Sequence, residues 1–232
     1  MNKEIVFSIG NTNIRYALFE DSLMTESGIY SEHVKKKMQK TPLVKAFCIS
    51  VNSKRLKKFK DENKFLDIIE LKKENKLIKT EYDADKLGID RFVTVLKCLK
   101  DKTFPALIID TGTADTFDYI DKNGNHIGGF ITPGLTTMAK SLAKFTFSLK
   151  EVEPEDGELR VGRNTEEALK YGIYTEWVTG VISFAKMGEK LIGPHIVIVC
   201  GGNASKLRDF LKNAVIDENY LLKSIYEYAE NI

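Results

Sequence analysis

Cysteine and histidine are scarce in this chain of 232 residues, with three of each. Cys48, Cys98 and Cys200 lie far apart, form no CxxC pair and sit in or beside apolar runs, so buried reduced thiols are expected rather than a metal or redox site. His33, His126 and His195 are not spaced as a ligand pair, which argues against zinc. The N-terminus shows no long apolar h-region or cleavage pattern, and no apolar run reaches the ~20 residues a membrane helix needs. A soluble, cytoplasmic protein with no membrane partner is expected. Charge of one sign is also missing: the net charge is +2, so composition gives no reason to expect nucleic acid or anionic lipid as a partner. There is no Walker GxxxxGK[ST], no kinase HRD or DFG, no GxGxxG, no short tandem repeat and no low-complexity linker.

What is present is ordinary globular material, 43% hydrophobic and 29% charged, enough for one large domain or two small ones. Its central stretch is ALIIDTGTADTFD, Ala106 to Asp118. The apolar run Ala106 to Ile109 reads as a buried strand that delivers a carboxylate, Asp110, into the small-residue turn Thr111-Gly112-Thr113. Such a turn aims acid and backbone N–H groups at a phosphate or a metal. The N-terminus repeats the design, with Ile5-Val6-Phe7 followed by Ser8-Ile9-Gly10-Asn11-Thr12. Two related α/β lobes with a cleft between them are expected, residues 1–105 and 106–232.

Along the chain, residues 4–19 read as a hairpin with Ser8, Asn11 and Thr12 at its tip and Arg15 within reach of it; a turn near Asp21-Ser22 leads to a third strand from Met24 to Tyr30. A basic helix over 31–40, a strand over 46–51, a lysine-rich helix over 53–64 with Leu56 and Phe59 inward, and a strand over 65–71 follow. The lysine runs read as solvated helix faces or as a phosphate-backbone contact; no interleaved aromatic platform accompanies them. Val93, Leu96 and Leu99 recur at helical spacing, placing Asp90 and Arg91 near a helix N-terminus. There the acid either complements the helix dipole or, with the arginine, forms a base and an anion anchor. Strands over 116–120 and 126–131 flank the turn Asp121–Gly124, then come Gly128–Gly134 and a helix over 135–144. The acidic segment 151–161 reads as an exposed, mobile loop. Asn164 and Glu167 form a capping-box pattern for a helix running past Trp177 towards Lys190. Its apolar positions exceed one narrow face, which suits a dimer contact. A strand over 195–200, the weak phosphate or purine signal Gly201-Gly202-Asn203, and a helix over 205–212 complete the reading.

Taken together these residues resemble the type III pantothenate kinases of the acetate kinase, sugar kinase, Hsp70 and actin superfamily. The N-terminal turn is similar to the family's DxGNT, Leu87 to Arg91 to its GxDR, Asp110 to Ala114 to its DxGTA, Gly128 to Gly134 to its GGxIxPG, and Gly162 to Thr165 to its GxxT. The resemblance implies an α/β fold of two ribonuclease-H-like lobes, the actin-like ATPase duplication with an inter-lobe ATP cleft. It further implies ATP-dependent phosphorylation of pantothenate to 4′-phosphopantothenate, the first step of coenzyme A biosynthesis. It makes Asp90 the general base. Gly88, Ile89 and Arg91 hold pantothenate, Tyr82 walls its pocket, and Thr165 contacts it from the neighbouring subunit of a homodimer. Ser8, Ile9, Gly10, Asn11, Thr12, Asn13, Ile14 and Arg15 line the ATP phosphates together with Thr113. Asp110 holds a monovalent cation, K+ or NH4+, and Mg2+ accompanies the ATP.

One position departs from the family. Its first motif begins with an aspartate that helps hold Mg2+; here that residue is Ser8, a neutral oxygen donor. Asp115, where the family has a smaller uncharged residue, is a candidate substitute carboxylate. Ser8 also motivates an alternative: a non-catalytic or impaired nucleotide- or pantothenate-binding homologue with an accessory role. A third reading, an actin-like or Hsp70-like nucleotide switch, sits poorly with so short a chain.

Overall fold

The computed structural model describes residues 3–41, 45–154 and 160–231, and it divides into two compact units: Met1–Asp101 with Asn219–Ile232, and Lys102–Glu218. Part of the expected 151–161 loop lies outside the described residues. No helix among the described residues is long and apolar enough to cross a membrane.

The first unit is built on a five-stranded sheet. The hairpin of β1 (Lys3–Ile9) and β2 (Ile14–Glu20) is in register from Lys3–Glu20 to Ile9–Ile14. β3 (Leu23–Ile29) continues it antiparallel through Asp21 and Ser22, whose φ angles of 49° and 68° are the left-handed pair a tight hairpin needs. After α1 (Glu32–Met38), β4 (Lys45–Ser50) lies parallel to β1; after α2 (Ser53–Glu62), β5 (Ile68–Glu70) lies parallel to β4, giving the order β3-β2-β1-β4-β5. β5 is shorter than the expected 65–71 strand because Leu66 is tied back to Asn63 by a backbone hydrogen bond.

Strand alternation sorts the side chains onto two faces. Ile5, Phe7 and Ile9 join Val34 and Met38 of α1 and Leu56 and Phe59 of α2 in one core, where the Phe7 ring meets Phe59 edge-on at 4.9 Å. The other face is covered by α3 (Ile89–Lys100) and by α6 (Tyr220–Ala229), the last helix of the chain. The sequence reading assigned 106–232 to one lobe and saw no helix here. Its tyrosines bring it to the first sheet instead. Tyr226 stacks on Phe19 at 3.8 Å, and its hydroxyl lies 3.1 Å from Glu4 Oε2 and 3.2 Å from Ser22 Oγ. Tyr228 packs on Phe92 and donates to the Lys72 carbonyl at 2.6 Å.

The second unit repeats the topology. β6 (Ala106–Thr111), β7 (Ala114–Ile120) and β8 (His126–Pro133) form the antiparallel meander; β9 (Ile196–Gly201) lies parallel to β6 and β10 (Val215–Ile216) parallel to β9, in the order β10-β9-β6-β7-β8. α4 (Leu135–Phe145) and α5 (Thr165–Ile192) cover the face that carries Leu107, Ile109, Phe117, Tyr119 and Val199. Half of the expected capping box of α5 forms: Asn164 Oδ1 accepts from the Glu167 N–H at 3.0 Å, while Glu167 Oε2 accepts instead from the N–H of Arg163, the residue before the cap, at 2.9 Å. The helix expected over 205–212 is a single 3₁₀ turn, Ala204–Leu207. The chain must re-enter the sheet at Val215, and the Phe210 and Leu211 amides both close tightly onto the Leu207 carbonyl.

The packing of α6 generates a first prediction. Tyr226→Ala is expected to destabilise the protein by about 3 kcal/mol through the lost stack and cavity, and Tyr226→Phe by about 1 kcal/mol through the lost hydroxyl bonds. Urea unfolding with an unchanged m-value is the measurement that checks both.

Candidate functional site

In the first unit the turn between β1 and β2 is closed by the Gly10 N–H donating to the Asn13 carbonyl at 3.1 Å, which leaves Asn11, Thr12 and Asn13 exposed. It is braced from behind by the start of α2. Arg55 Nη1 donates to the Asn11 carbonyl at 2.6 Å, and Asn52, the N-cap of α2, donates to Asn11 Oδ1 at 3.2 Å. Ser8 and Arg15 pair across the hairpin and are both half-buried, with Arg15 Nη2 3.3 Å from Asn219 Oδ1. Ile9 is in the core and Ile14 packs against it, so these two can meet a ligand only through backbone.

A second constellation of the same unit surrounds the start of α3. Gly88 is the N-cap, and Asp90 Oδ1 lies 2.4 Å from where a Cβ at position 88 would sit, so any side chain there would push the Asp90 carboxylate out of this place. The same oxygen accepts from the Arg91 N–H at 2.9 Å. Asp90 therefore sits at the positive end of the helix, half-buried, as both readings of it require. Arg91 is buried and its guanidinium lies 5.0 Å from the ring of Tyr82, so the structure brings Tyr82, Gly88, Asp90 and Arg91 together, with Ile89 half-buried beside them.

Sequence reasoning missed Lys73. Its ammonium donates to the carbonyls of Ala84 at 2.6 Å, Asp85 at 3.1 Å and Leu87 at 2.7 Å, tying down the segment that leads into Gly88. Three donors meet three acceptors, and Asn75 adds a bond to Asp85 Oδ1 at 2.7 Å.

In the second unit Asp110, next to last in β6, lies opposite Thr116, beside the β9 terminus. Gly201, at φ 89°, lets the two strand ends close up: a Cβ there would fall 2.4 Å from both Asp110 Oδ1 and the Thr111 carbonyl. The Thr111 hydroxyl donates to the Cys200 carbonyl at 2.8 Å, and the Asn203 N–H donates to the Thr111 carbonyl at 3.3 Å. The Gly201-Gly202-Asn203 segment thus lies directly against the Asp110 turn. On the other side the Thr113 carbonyl accepts from the Gly134 N–H at 3.1 Å and the Thr137 hydroxyl at 2.6 Å, which leaves the Thr113 side chain exposed.

Asp115 is not the substitute carboxylate that the sequence suggested. It is fully buried, Oδ1 accepting from the Gly112 N–H at 3.1 Å and Oδ2 from the Trp177 indole N–H at 2.5 Å, so neither oxygen is free for a cation. Trp177, expected on a broad apolar surface, is likewise buried within its own unit.

Thr165 opens α5 and is exposed beside a cavity of about 420 Å³ lined by Arg160, Val161, Arg163, Glu167 and Tyr171. Gly162 fits there only as glycine, since a Cβ would fall 2.2 Å from the Ala168 nitrogen. Thr165 belongs to the second unit and Tyr82, Gly88, Asp90 and Arg91 to the first. The remaining candidates are structural. His126 pairs with Asp118 at 2.7 Å, both buried, and His195 Nδ1 is bound to the Gly193 carbonyl at 2.8 Å. All three cysteines are buried and none is in a disulfide, and burial pushes the Cys48 and Cys98 thiols up to about 12, as expected of inert thiols.

No group of three or more His, Cys, Asp or Glu among the described residues could hold a metal. Ser8 offers a neutral oxygen, and Asp110 is half-buried with a carboxylate at the end of the sheet.

The Asp115 site also sets a pH dependence. Burial raises its carboxyl from 3.8 to about 7, against the lowering effect of the bonds from Trp177 and Gly112, and the nearby Asp110 charge adds to the rise. The folded chain keeps this proton at pH values where the unfolded chain has lost it, so the group's contribution to stability is full below about pH 4 and lost as pH rises towards 7. The loss amounts to about 4 kcal/mol at pH 8. Thermal unfolding from pH 4.5 to 8 is expected to show a steeper fall in Tm for the wild type than for Asp115→Asn, which has no proton to lose.

A family model described as type III pantothenate kinase matches residues 4–186. The type III pantothenate kinase of Hahella chejuensis (strain KCTC 2396) is 31% identical over 192 residues, 79% of this chain and 81% of its own. Among solved structures, a Campylobacter jejuni protein provisionally described as a conserved Baf family transcriptional activator superposes with a TM-score of 0.64 at 23% identity, covering 98% of this chain and 100% of that one. The inorganic polyphosphate/ATP-glucomannokinase of Arthrobacter sp. strain KM superposes with a TM-score of 0.50 at 11% identity over 100% of both chains. Those two likenesses concern the fold alone, and they agree with the duplicated α/β architecture expected from the motifs. Matched by its family model over most of its length and by a close relative over more than two thirds, the chain belongs to the type III pantothenate kinase family.

Proposed function

We infer that this chain phosphorylates pantothenate with ATP, giving 4′-phosphopantothenate for coenzyme A synthesis, and that Asp90 is the general base. The observation that carries this reading is the cluster of Tyr82, Gly88, Asp90 and Arg91 at the start of α3 in a chain of this family. Phosphoryl transfer through a loose transition state asks little of a base and much of positioning. Asp90 accepts the proton of the pantothenate hydroxyl, and Arg91, fixed against Tyr82, anchors the substrate next to it. Gly88 and Ile89 contribute backbone that approaches closely. Lys73 keeps the preceding segment in place.

The ATP phosphates are held by the exposed β1–β2 turn, with Gly10 closing it, Asn11 to Asn13 offering N–H groups and polar side chains and Ser8 and Arg15 behind them, and by Thr113. Mg2+, when bound, neutralises phosphate charge, with the Ser8 hydroxyl as its one direct candidate in the first turn; Asp110 holds K+ or NH4+. A homodimer fits the exposed apolar residues Phe130 and Ile131 on β8, Phe145 on α4 and Leu191 on α5, and in it Thr165 reaches the pantothenate of the neighbouring subunit. A cytoplasmic location goes with this chemistry.

Purified protein supplied with ATP, Mg2+ and K+ is expected to phosphorylate pantothenate; no turnover in a coupled assay would sink the reading. Asp90→Asn is expected to lower kcat by roughly 10²–10⁴-fold while the ATP Kd by calorimetry stays within about twofold. A large loss of ATP affinity would instead assign Asp90 to the nucleotide. Ser8→Asp restores a charged oxygen, so the Mg2+ concentration giving half-maximal rate is expected to fall by roughly tenfold, and an unchanged value would show that Ser8 does not face the ion.

A further inference from the structure

The bonds to Asp115 are unusual for a turn that faces an anion. A carboxylate costs several kcal/mol to bury, and Asp115 is fully buried behind Gly112 with one donor on each oxygen. One donor is the peptide in the centre of the turn; the other is the indole of Trp177, near the middle of the 28-residue α5 and the sole tryptophan of the chain. Gly134 closes the arrangement from a third side. A Cβ on it would lie 2.1 Å from the Gly112 carbonyl oxygen and 2.9 Å from Asp115 Oδ1, so turn, carboxylate and the start of α4 have no slack between them.

We propose that Asp115 is a positioning residue for the nucleotide: it locks the Gly112 peptide against Trp177, so that the Thr113 end of the turn is presented to phosphate in one conformation, and the Trp177 indole reports occupancy of the turn. The proposal rests on the reading of this turn as part of the ATP site. Its physical content is preorganisation. The Gly112 N–H is spent on Asp115, not on ligand, and the gain is that the neighbouring groups need not be ordered when ATP arrives. Because the Asp115 carboxylate bridges the Gly112 peptide and the indole, phosphate charge arriving at the Thr113 end of the turn changes the field at the indole without any movement of the turn, and tryptophan fluorescence responds to that field.

The test titrates the full chain with ATP and Mg2+, following Trp177 emission and binding heat in parallel. Emission is expected to change along the same isotherm as the heat. Asp115→Asn, which can satisfy only one of the two donors, is expected to raise the KM for ATP roughly tenfold and to leave the KM for pantothenate within about twofold. Trp177→Phe is expected to remove the emission change and to raise the ATP KM roughly threefold, with the double variant no worse than Asp115→Asn alone. A carboxylate that only stabilised the core would instead lower Tm and leave both KM values where they were, and that result overturns the proposal. So does wild-type binding heat accompanied by flat emission. Absence of any ATP binding heat in the wild type overturns the reading of the turn and this proposal with it. The wild-type titration and Trp177→Phe carry the test even if Asp115→Asn does not fold.

Discussion

The two hydrogen bonds that converge on the Asp115 carboxylate, one from the Gly112 peptide and one from the Trp177 indole, tie a strand-end turn to the longest helix of the second unit. A turn made of Thr, Gly, Thr and Ala has no large apolar side chain to anchor it, so its geometry must come from polar partners supplied by other elements. Asp115 supplies one, Gly134 and Thr137 hold the Thr113 carbonyl, and the β9 terminus closes on Thr111. Remove the central carboxylate and a buried indole N–H and a peptide N–H lose their partners together, each costing about 1–3 kcal/mol.

The first unit solves the same problem on the same topology with different chemistry. Its turn is braced at the surface, by Arg55 and Asn52 of α2 acting on Asn11, and no buried charge is involved. Exposed braces are cheap to form and easily screened by solvent, whereas the buried one is costly and rigid. The duplicated sheet order therefore carries two turns of unequal stiffness. The acids are unequal too: Asp110 stands next to last in β6, while its counterpart Ser8, next to last in β1, is uncharged.

Much of this was legible in the sequence because it is local. The hairpins follow from strict alternation and short polar turns, and α5 from its Asn164 N-cap, which accepts from the Glu167 N–H as expected. The family motifs fall at strand ends and helix starts, so the Asp110 turn, Gly88 and Asp90 could be placed from spacing alone. What escaped depends on distance or on ambiguity. Asp115 and Trp177 are 62 residues apart, and nothing in either neighbourhood announces the other. Lys73 stands in a lysine-rich run where any member could equally be solvated; its three carbonyl partners are visible only once the chain has turned back. α6 has no side-chain cap, and its tyrosines read as surface until Phe19 and Glu4 are seen beneath them. The 205–212 segment has helical composition, and the demand of the sheet for β10 overrode it.

The packing of α6 also orders events in time. The second unit is continuous in the chain, so every residue of its core has been synthesised by Glu218. The first unit is not: the face of its sheet that bears Phe19 waits for Asn219–Ile232, which is made only after the whole of the second unit. Domains usually mature in order from the N-terminus during synthesis. Here the first unit is begun before the second and completed after it, and until α6 arrives the nascent chain carries a sheet face only partly covered, by α3.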